Sequence, residues 1–161
     1  MVKARRRRLD ELQTCAAFNV RKTARAVGRA FDAALEPSGV DAAMFSLLAW
    51  LAGNGGASVR EIADGLVMDP ATASRHLRPA QRRGFVRISV GEDRRRRLAH
   101  LTGKGRETLK RAVPYWLSAQ RSLAADLGTG DFTRMLADLK ELRGAARRLL
   151  ERERPSRRPA A

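Results

Sequence analysis

The side chains best suited to chemistry in this sequence lie in a short stretch that begins at Asp69. The Asp69 carboxylate can cap a helix, and Pro70 fits the first helical position because no N–H donor is needed there. Arg75 carries a forked donor that can hold O6 and N7 of guanine, worth about 1–3 kcal/mol of discrimination between bases. The pattern therefore indicates a helix whose first half can read base edges. The candidate contact residues are Pro70, Ala71, Thr72, Ser74, Arg75 and Arg78.

Several of these residues allow more than one kind of contact. Ala71 or Thr72 can touch a thymine methyl group, and Ser74 can bond a phosphate or a base. For each candidate the alternative is a phosphate contact or plain solvent exposure. The apolar side of the same helix, which we expect to be buried, consists of Ala73, Leu77 and Ala80.

Pro79 interrupts this helix pattern. A proline there removes the hydrogen bond to the carbonyl of Arg75 and clashes with it, at a cost of about 3 kcal/mol unless the helix kinks. We therefore expect the helix to bend or to end early, which puts any contact beyond Arg78 in doubt.

A second concentration of charge follows about twenty residues later. Four consecutive arginines there are too concentrated to be neutral toward DNA, whereas the alternative is an exposed charge run with no fixed target. The candidate residues are Asp93, Arg94, Arg95, Arg96 and Arg97.

The surrounding residues predict the elements that would position both groups. Ser58 and Glu61 form a capping box before an apolar stripe of Ile62, Ala63 and Leu66, which predicts a first short helix. The helix of Arg75 comes next and ends at Gly84. Alternating Val86, Ile88 and Val90, the turn at 91–93, and Leu98 with Leu101 predict a small β-hairpin. The fold class is mainly α: a winged helix-turn-helix with a β-hairpin wing, flanked by further helices.

These motifs, in this order, resemble the multiple-antibiotic-resistance regulator (MarR) family. The family's wing motif matches Asp93-Arg94-Arg95 followed by Leu101-Thr102-Gly103, and its helix motif matches Glu61-Ile62-Ala63 with Leu66. Arg83-Gly84-Phe85-Val86 matches the exit of its recognition helix. The opening CAAFNVRKTARAVGRAFDAAL is similar to the first helix of one branch, so the resemblance covers roughly residues 9–150.

The resemblance implies roles for several residues. It implies that Arg95 enters a minor groove and that Asp93 holds it there; narrow A·T-rich minor grooves attract arginine through their enhanced negative potential. It also implies that the first helix lies in a dimer interface. A small, often aromatic ligand would occupy a cleft between the reading module and the dimer helices. The aromatic residues that could line it are Phe18, Phe45, Trp50 and Trp116, although such spacings are also typical of plain core.

Composition supports a polyanionic partner. The 161 residues carry a formal net charge of +16, and 43% of them are hydrophobic, which is enough for a core. The bland alternative is a solvated arginine-rich surface. No apolar run approaches the ~20 residues that a membrane span needs, and no signal-peptide pattern follows the basic start, so we expect a cytoplasmic protein.

The chain divides into five predicted segments. Residues 1–8 form a basic arm expected to be disordered, 9–36 a dimerisation helix, and 40–101 the DNA-binding module that begins with a helix ending in the loop 53–56. Residues 102–150 form C-terminal helices, and 151–161 a disordered tail. These last helices carry more apolar residues than a small reading module needs, which indicates a homodimer and a palindromic DNA site.

Cys15 is the single cysteine, so no intramolecular disulfide is possible. One branch of the resembled family senses organic hydroperoxides through a cysteine on the first helix, with tyrosines as partners. This chain has only Tyr115, so we favour a buried, inert Cys15 and keep a peroxide-responsive switch as an alternative.

Catalysis is poorly supported by the sequence. The only histidines are His76 and His100, no further metal ligands cluster with either, and no glycine-rich phosphate loop is present. We expect no enzyme activity, no metal and no cofactor. The prediction is a homodimeric, sequence-specific regulator of transcription that binds double-stranded DNA, most simply a ligand-responsive repressor. The alternative from another class is a non-specific architectural protein that coats DNA.

Overall fold

The architecture is mainly helical, with one small sheet. A computed structural model describes residues 13–90 and 97–153. The first helix, Ala16–Leu35, is followed directly by a 3₁₀ turn, Glu36–Ser38. In chain order the elements are α1 (Ala16–Leu35), α2 (Ala42–Asn54), β1 (Gly56–Ala57), α3 (Val59–Gly65), α4 (Pro70–Arg82), β2 (Val86–Val90), β3 (Arg97–Leu101), α5 (Gly103–Leu127) and α6 (Thr129–Glu153). The predicted winged helix-turn-helix is confirmed: α3 and α4 are the two short helices, and β2 and β3 form the hairpin.

The sheet contains a strand that the sequence did not reveal. Its order is β1-β3-β2 and both pairings are antiparallel. Val86 pairs with Leu101 and Val90 with Arg97, while Gly56 on β1 pairs with His100. The predicted loop 53–56 is wrong at both ends, because α2 continues to Asn54 and Gly56 already belongs to β1. A two-residue strand is invisible to a periodicity argument, since its only signal is a partner more than forty residues away.

The chain separates into two compact units, residues 1–119 and 120–161. The first unit contains the hydrophobic core, where α2, α3 and α4 meet the inner face of the sheet. Its most completely buried large side chains are Leu35, Leu47, Leu48, Leu51, Ile62 and Thr108. Removing one of these leucine side chains would cost about 2–5 kcal/mol of unfolding free energy.

Side-chain caps fix where the helices begin. The Ser58 hydroxyl accepts from the backbone N–H of Glu61, and the Glu61 carboxylate accepts from the N–H of Ser58, so the predicted capping box is confirmed. Asp41 caps α2 by accepting from the N–H of Met44 at 2.7 Å. Asp32 on α1 accepts from the N–H of Ala42 at 2.8 Å, which ties the first helix to the start of α2. These bonds satisfy N–H groups that the helices themselves leave unpaired.

Pro79 does not end α4. The helix continues through it to Arg82, so the predicted early end is wrong. The helix tolerates the proline because Ala73, Leu77 and Ala80 bury its inner face against the core, and such packing can override an unfavourable local preference.

The second unit consists of the end of α5 and helix α6. Gly128, with φ of 83°, separates the two helices. Several leucines of this unit are 36–65% exposed: Leu127, Leu136, Leu139, Leu142, Leu149 and Leu150. Among the helices described, none combines the length and the apolar content that crossing a membrane requires.

Candidate nucleic-acid interface

The start of α4 is built around the Asp69 carboxylate. One of its oxygens accepts from the backbone N–H of Thr72 at 2.9 Å, and the other accepts from the Thr72 hydroxyl at 2.7 Å. These two bonds, the hydroxyl bond first, hold the pKa of Asp69 below its ordinary value because they stabilise the charged carboxylate. The cap therefore fixes Thr72 as well as the helix end.

Thr72 in turn holds Arg75. A terminal guanidinium nitrogen of Arg75 donates to the Thr72 hydroxyl oxygen at 2.7 Å. Asp69, Thr72 and Arg75 thus form a chain of hydrogen bonds along one side of the helix, which we call the Asp69–Thr72–Arg75 relay. The relay directs the arginine toward the helix N-terminus, the end that a recognition helix presents to the major groove.

The remaining predicted contact residues of α4 share its outer side. Pro70, Ala71, Arg75 and Arg78 are exposed, and Thr72 and Ser74 are half-buried. The Ser74 hydroxyl donates to the carbonyl of Pro70 at 2.9 Å, so in this arrangement its oxygen offers an acceptor rather than a donor. The opposite side, Ala73, Leu77 and Ala80, is buried as expected.

The turn between α3 and α4 has an unusual backbone. Val67 has φ of 54°, and it is the only non-glycine residue with positive φ among the described residues. The Met68 N–H donates to the carbonyl of Ala63 at 2.9 Å and closes the turn around it. A β-branched side chain is strained in the left-handed region, and Val67 is 64% exposed, so burial does not compensate for the strain.

The wing is described only at its base. Arg97 is exposed and pairs with Val90 at the outer end of the described hairpin. Asp93, Arg94, Arg95 and Arg96 lie outside the described residues, so their predicted contacts stay predictions.

The end of α4 carries a cationic cluster that the sequence did not predict. The Arg83 guanidinium lies 4.5 Å from the centre of the Phe85 ring and donates to the carbonyl of Gly39 at 2.6 Å. The Lys104 ammonium lies 5.7 Å from the same ring. Thr102 donates to the carbonyl of Gly84 at 2.7 Å. These contacts anchor the exit of α4 to the 3₁₀ turn and to α5, and sequence spacing could not reveal them because the partners are remote in the chain.

Comparison with known proteins places this architecture in a family. A family model described as MarR family matches residues 38–96. The crystal structure of the Mycobacterium tuberculosis transcriptional regulator MosR in complex with DNA is 36% identical, and the match covers 84% of this chain and 98% of that one with a TM-score of 0.77. The chain belongs to the MarR family. It is therefore a transcriptional regulator by family.

Two further solved structures resemble this MarR-family chain. The transcriptional repressor CouR, bound to a 23-mer DNA duplex, is 27% identical over 82% of this chain and 94% of that one, with a TM-score of 0.75. The apo form of Escherichia coli MarR is 18% identical over 80% and 96%, with a TM-score of 0.63, a likeness of fold. No curated protein sequence matches significantly.

Three of the four aromatic residues of the predicted ligand cleft, Phe45, Trp50 and Trp116, belong to the hydrophobic core of this MarR-family chain, and Phe18 does not. Phe45 and Trp116 stack with ring centroids 5.7 Å apart and an angle of 22° between their planes. The Trp50 indole instead lies against Gly65 of α3, so close that a Cβ on Gly65 would fall 2.4 Å from the indole nitrogen. Phe18 is 53% exposed on α1. Their ligand role stays a prediction.

The remaining residues considered for redox or metal chemistry are Cys15 and the histidines. Cys15 lies at the N-cap of α1 and is half-buried, so the expectation that it is buried is wrong: the first turn of α1 around it is exposed. His76 lines a cavity of about 390 Å³ behind α4, together with Leu47 and Met68. Within 13–90 and 97–153, no three His, Cys, Asp or Glu side chains are grouped so that they could hold a metal ion.

Proposed function

We propose that this MarR-family regulator is a cytoplasmic homodimer that binds a palindromic operator and acts as a repressor without enzymatic activity. The observation that carries the proposal is the Asp69–Thr72–Arg75 relay on the exposed start of α4. It presents a guanidinium in one orientation on a helix whose other side is anchored in the core. The solved structures of MosR and CouR with bound DNA also support a DNA-binding role for this chain.

In this proposal the two contact regions do different work. Arg75 and its neighbours at the start of α4 read base edges in the major groove, with Arg75 bonding a guanine. Arg95, supported by Asp93, enters the adjacent minor groove, and Arg94, Arg96 and Arg97 contact phosphates. Phosphate contacts fix the position of the protein on DNA and dominate affinity, whereas the base contacts decide which sequence is bound.

The deciding experiment compares DNA from directly upstream of the protein's own gene with a scrambled duplex of equal composition. Near physiological salt we expect the natural sequence to bind at least ~10³-fold more tightly, because a specific regulator reaches such ratios. Arg75→Gln should reduce this ratio by about tenfold or more, since one bidentate base contact is lost. Arg60→Gln, at an exposed arginine of α3, is the matched control and should leave the ratio unchanged.

The second candidate is an architectural protein that coats DNA without sequence preference, and the net charge of +16 favours it. Equal affinity for natural operator candidates and scrambled DNA, with a steep loss of binding as salt rises, would support this candidate and contradict the first.

We also propose that the Cys15 thiol is inert, because the bonds that this residue contributes to the start of α1 are made by its backbone and not by its side chain. Its backbone carbonyl accepts from the N–H of Asn19 at 3.0 Å and from the Asn19 side chain at 3.1 Å, which starts α1. Cys15→Ser should therefore bind DNA and respond to an organic hydroperoxide as the unchanged protein does. Release of DNA by the peroxide in the unchanged protein alone would establish the peroxide-responsive alternative instead.

A further inference from the structure

Helix α1 exposes two different faces in the single chain. On its apolar face Val20 is 41% and Val27 37% exposed, and Ala24 between them is exposed as well. Only the end of the helix enters the hydrophobic core, where Leu35 is completely buried. At about 1.5 Å per residue, Arg21 lies about 21 Å along the helix from Leu35. The first half of α1 therefore extends beyond the core that holds the reading module together.

The other face of α1 is basic. Arg21, Arg25 and Arg29 follow one another at intervals of four residues, so they form one row along the helix. Lys22 lies beside this row, two helical turns before Arg29. All four side chains are exposed. We call these four residues the α1 basic face. Because it lies opposite the valines, a dimer that covers the apolar face leaves the α1 basic face outside.

No carboxylate neutralises the α1 basic face. The only acidic residue of α1 is Asp32, and its carboxylate already accepts from the backbone N–H of Ala42 at 2.8 Å. Within residues 13–90 and 97–153, no carboxylate lies at salt-bridge distance from any of the four cations. Like charges on neighbouring turns of a helix repel one another, and an anionic partner relieves this repulsion. The α1 basic face is therefore complementary to a polyanion.

Duplex DNA matches the α1 basic face in length and in chemistry. The row from Arg21 to Arg29 is about 12 Å long, since eight residues separate its ends. One DNA strand carries a phosphate about every 3.4 Å of helix axis, so the row can reach roughly three phosphates. Three of the four cations are arginines, whose planar fork fits two phosphate oxygens at once.

An anionic membrane fits this helix less well. Helices that lie in a membrane surface insert large apolar side chains from the face opposite their charges. The exposed apolar face of α1 instead consists of valine and alanine. Phe18 is 53% exposed and lies one turn before Lys22, on the basic side of the helix. The side chain best suited to insertion is thus on the wrong face.

We propose that the α1 basic face binds the phosphate backbone of a second DNA duplex, without sequence preference, while α4 holds the operator. The row begins about 9 Å and ends about 21 Å from Leu35 along the helix, so a separate duplex can reach it without displacing DNA from the reading module. The protein thereby bridges two segments of DNA. This activity goes beyond the proposed function, because regulation at one operator needs no second duplex.

Capture of a second duplex tests the proposal. Full-length protein is bound to an immobilised duplex from upstream of its own gene, and a fluorescent scrambled duplex is added near physiological salt. We expect the beads to retain the fluorescent duplex. A triple variant, Arg21→Gln with Arg25→Gln and Arg29→Gln, should retain at least about fivefold less of it. The log–log salt dependence of capture should also become shallower by roughly two to three, because each phosphate contact contributes about 0.9.

Matched variants separate this face from charge in general. Lys140→Gln with Arg148→Gln and Arg152→Gln removes the same charge from exposed positions on the side of α6 away from its leucines, and it should capture normally. Replacing the three α1 arginines by lysine should recover most of the capture. The glutamine variant of α1 should keep its affinity for the immobilised duplex, because α4 and the wing are unchanged. All variants retain residues 1–8.

A capture with scrambled DNA in both positions needs no operator, so bridging and operator recognition can fail separately. Loss of capture confined to the α1 variant, with unchanged affinity for the immobilised duplex, supports the proposal. Absence of capture, or normal capture by the α1 variant, would overturn it. So would an equal loss in the α6 variant, which would assign bridging to net charge. A parallel loss of affinity for the immobilised duplex would place the arginines on the same DNA as α4. If the protein captures no second duplex but sediments with phosphatidylglycerol vesicles through these arginines, the partner of the face is a membrane.

Discussion

At the scale of single residues, Thr72 is the centre of the candidate reading site. Its hydroxyl donates to Asp69 and accepts from Arg75, so one oxygen atom connects the cap of the helix to the proposed base-reading group. Thr72 as a whole is half-buried. A single side chain therefore determines whether the arginine is held in one orientation before DNA arrives.

The first prediction follows from this geometry. Thr72→Val keeps the shape and removes the hydroxyl, so Arg75 loses its restraint and must be ordered during binding. We expect operator affinity to fall by about 3–10-fold, in line with roughly 1 kcal/mol for one hydrogen bond. Thr72→Ser restores the hydroxyl and should recover most of the loss. Fluorescence anisotropy with operator DNA measures both variants.

The backbone bond from Thr72 to Asp69 survives in Thr72→Val, so the melting temperature should change little. If Thr72→Val binds the operator as tightly as the unchanged protein, the hydroxyl and therefore the relay have no part in recognition. A loss confined to Thr72→Ser would assign the effect to the methyl group instead.

The sequence predicted those side-chain hydrogen bonds whose partners are close in the chain. The capping roles of Ser58, Glu61 and Asp69 could be predicted because each side chain reaches a backbone group three residues away. The bond from Arg75 to Thr72 depends on the rotamer that a long side chain adopts, which spacing does not determine. The bond from Arg83 to Gly39 joins residues 44 positions apart, and only the folded chain brings them together.

At the scale of elements, the turn between α3 and α4 fixes the angle at which the candidate reading helix leaves its neighbour. Its left-handed residue is Val67, where glycine would be unstrained. The molecule thus retains strain in the turn that orients α4, a pattern common at sites where geometry serves function.

The second prediction tests this strain. Val67→Gly should raise the unfolding free energy by about 0.5–1 kcal/mol, because relief of the left-handed strain of roughly 1–2 kcal/mol exceeds the added freedom of the unfolded chain. Val90→Gly is the matched control: Val90 is 61% exposed, close to the 64% of Val67, but lies in the extended strand β2. It should lower stability. Chemical denaturation of both variants provides the measurement, and a loss of stability in Val67→Gly would show that the turn is unstrained.

Periodicity predicted the longer elements and missed those that depend on remote partners. Helices α3 and α4 and strands β2 and β3 each carry a pattern long enough to recognise. Strand β1 has two residues and exists because β3 offers it hydrogen bonds. Pro79 led to the opposite error, a predicted helix end that does not occur. The local rule for proline predicts a break in α4, and burial of the inner face of the helix prevents it.

At the scale of the whole molecule, the exposed leucines of the second unit need a partner. A row of such side chains on one helix is rarely left in water by a protein that works alone, and a homodimer interface is the simplest cover. The two copies of α4 in such a dimer would match the two halves of a palindromic operator.

The third prediction places a charge in this row. Leu139→Glu should shift the protein from dimer to monomer at micromolar concentration in sedimentation experiments, because a buried unpaired carboxylate opposes association. Operator affinity should fall at least tenfold, since one half-site then binds alone. Ala137→Glu, two residues away and therefore on roughly the opposite side of α6, is the control and should remain dimeric. A dimeric Leu139→Glu would move the interface elsewhere.

The short strand β1 has a consequence for how the wing can evolve. In an isolated hairpin the turn sets the alignment of the two strands, so a change in turn length shifts every pair. Here β3 is also aligned from its other side, by the pairing of Gly56 with His100 and of Ala57 with Ala99. Mutations that lengthen, shorten or recharge residues 91–96 can therefore accumulate without disturbing the sheet beneath. Residues 91–96 and the scaffold that carries them can thus change independently of each other.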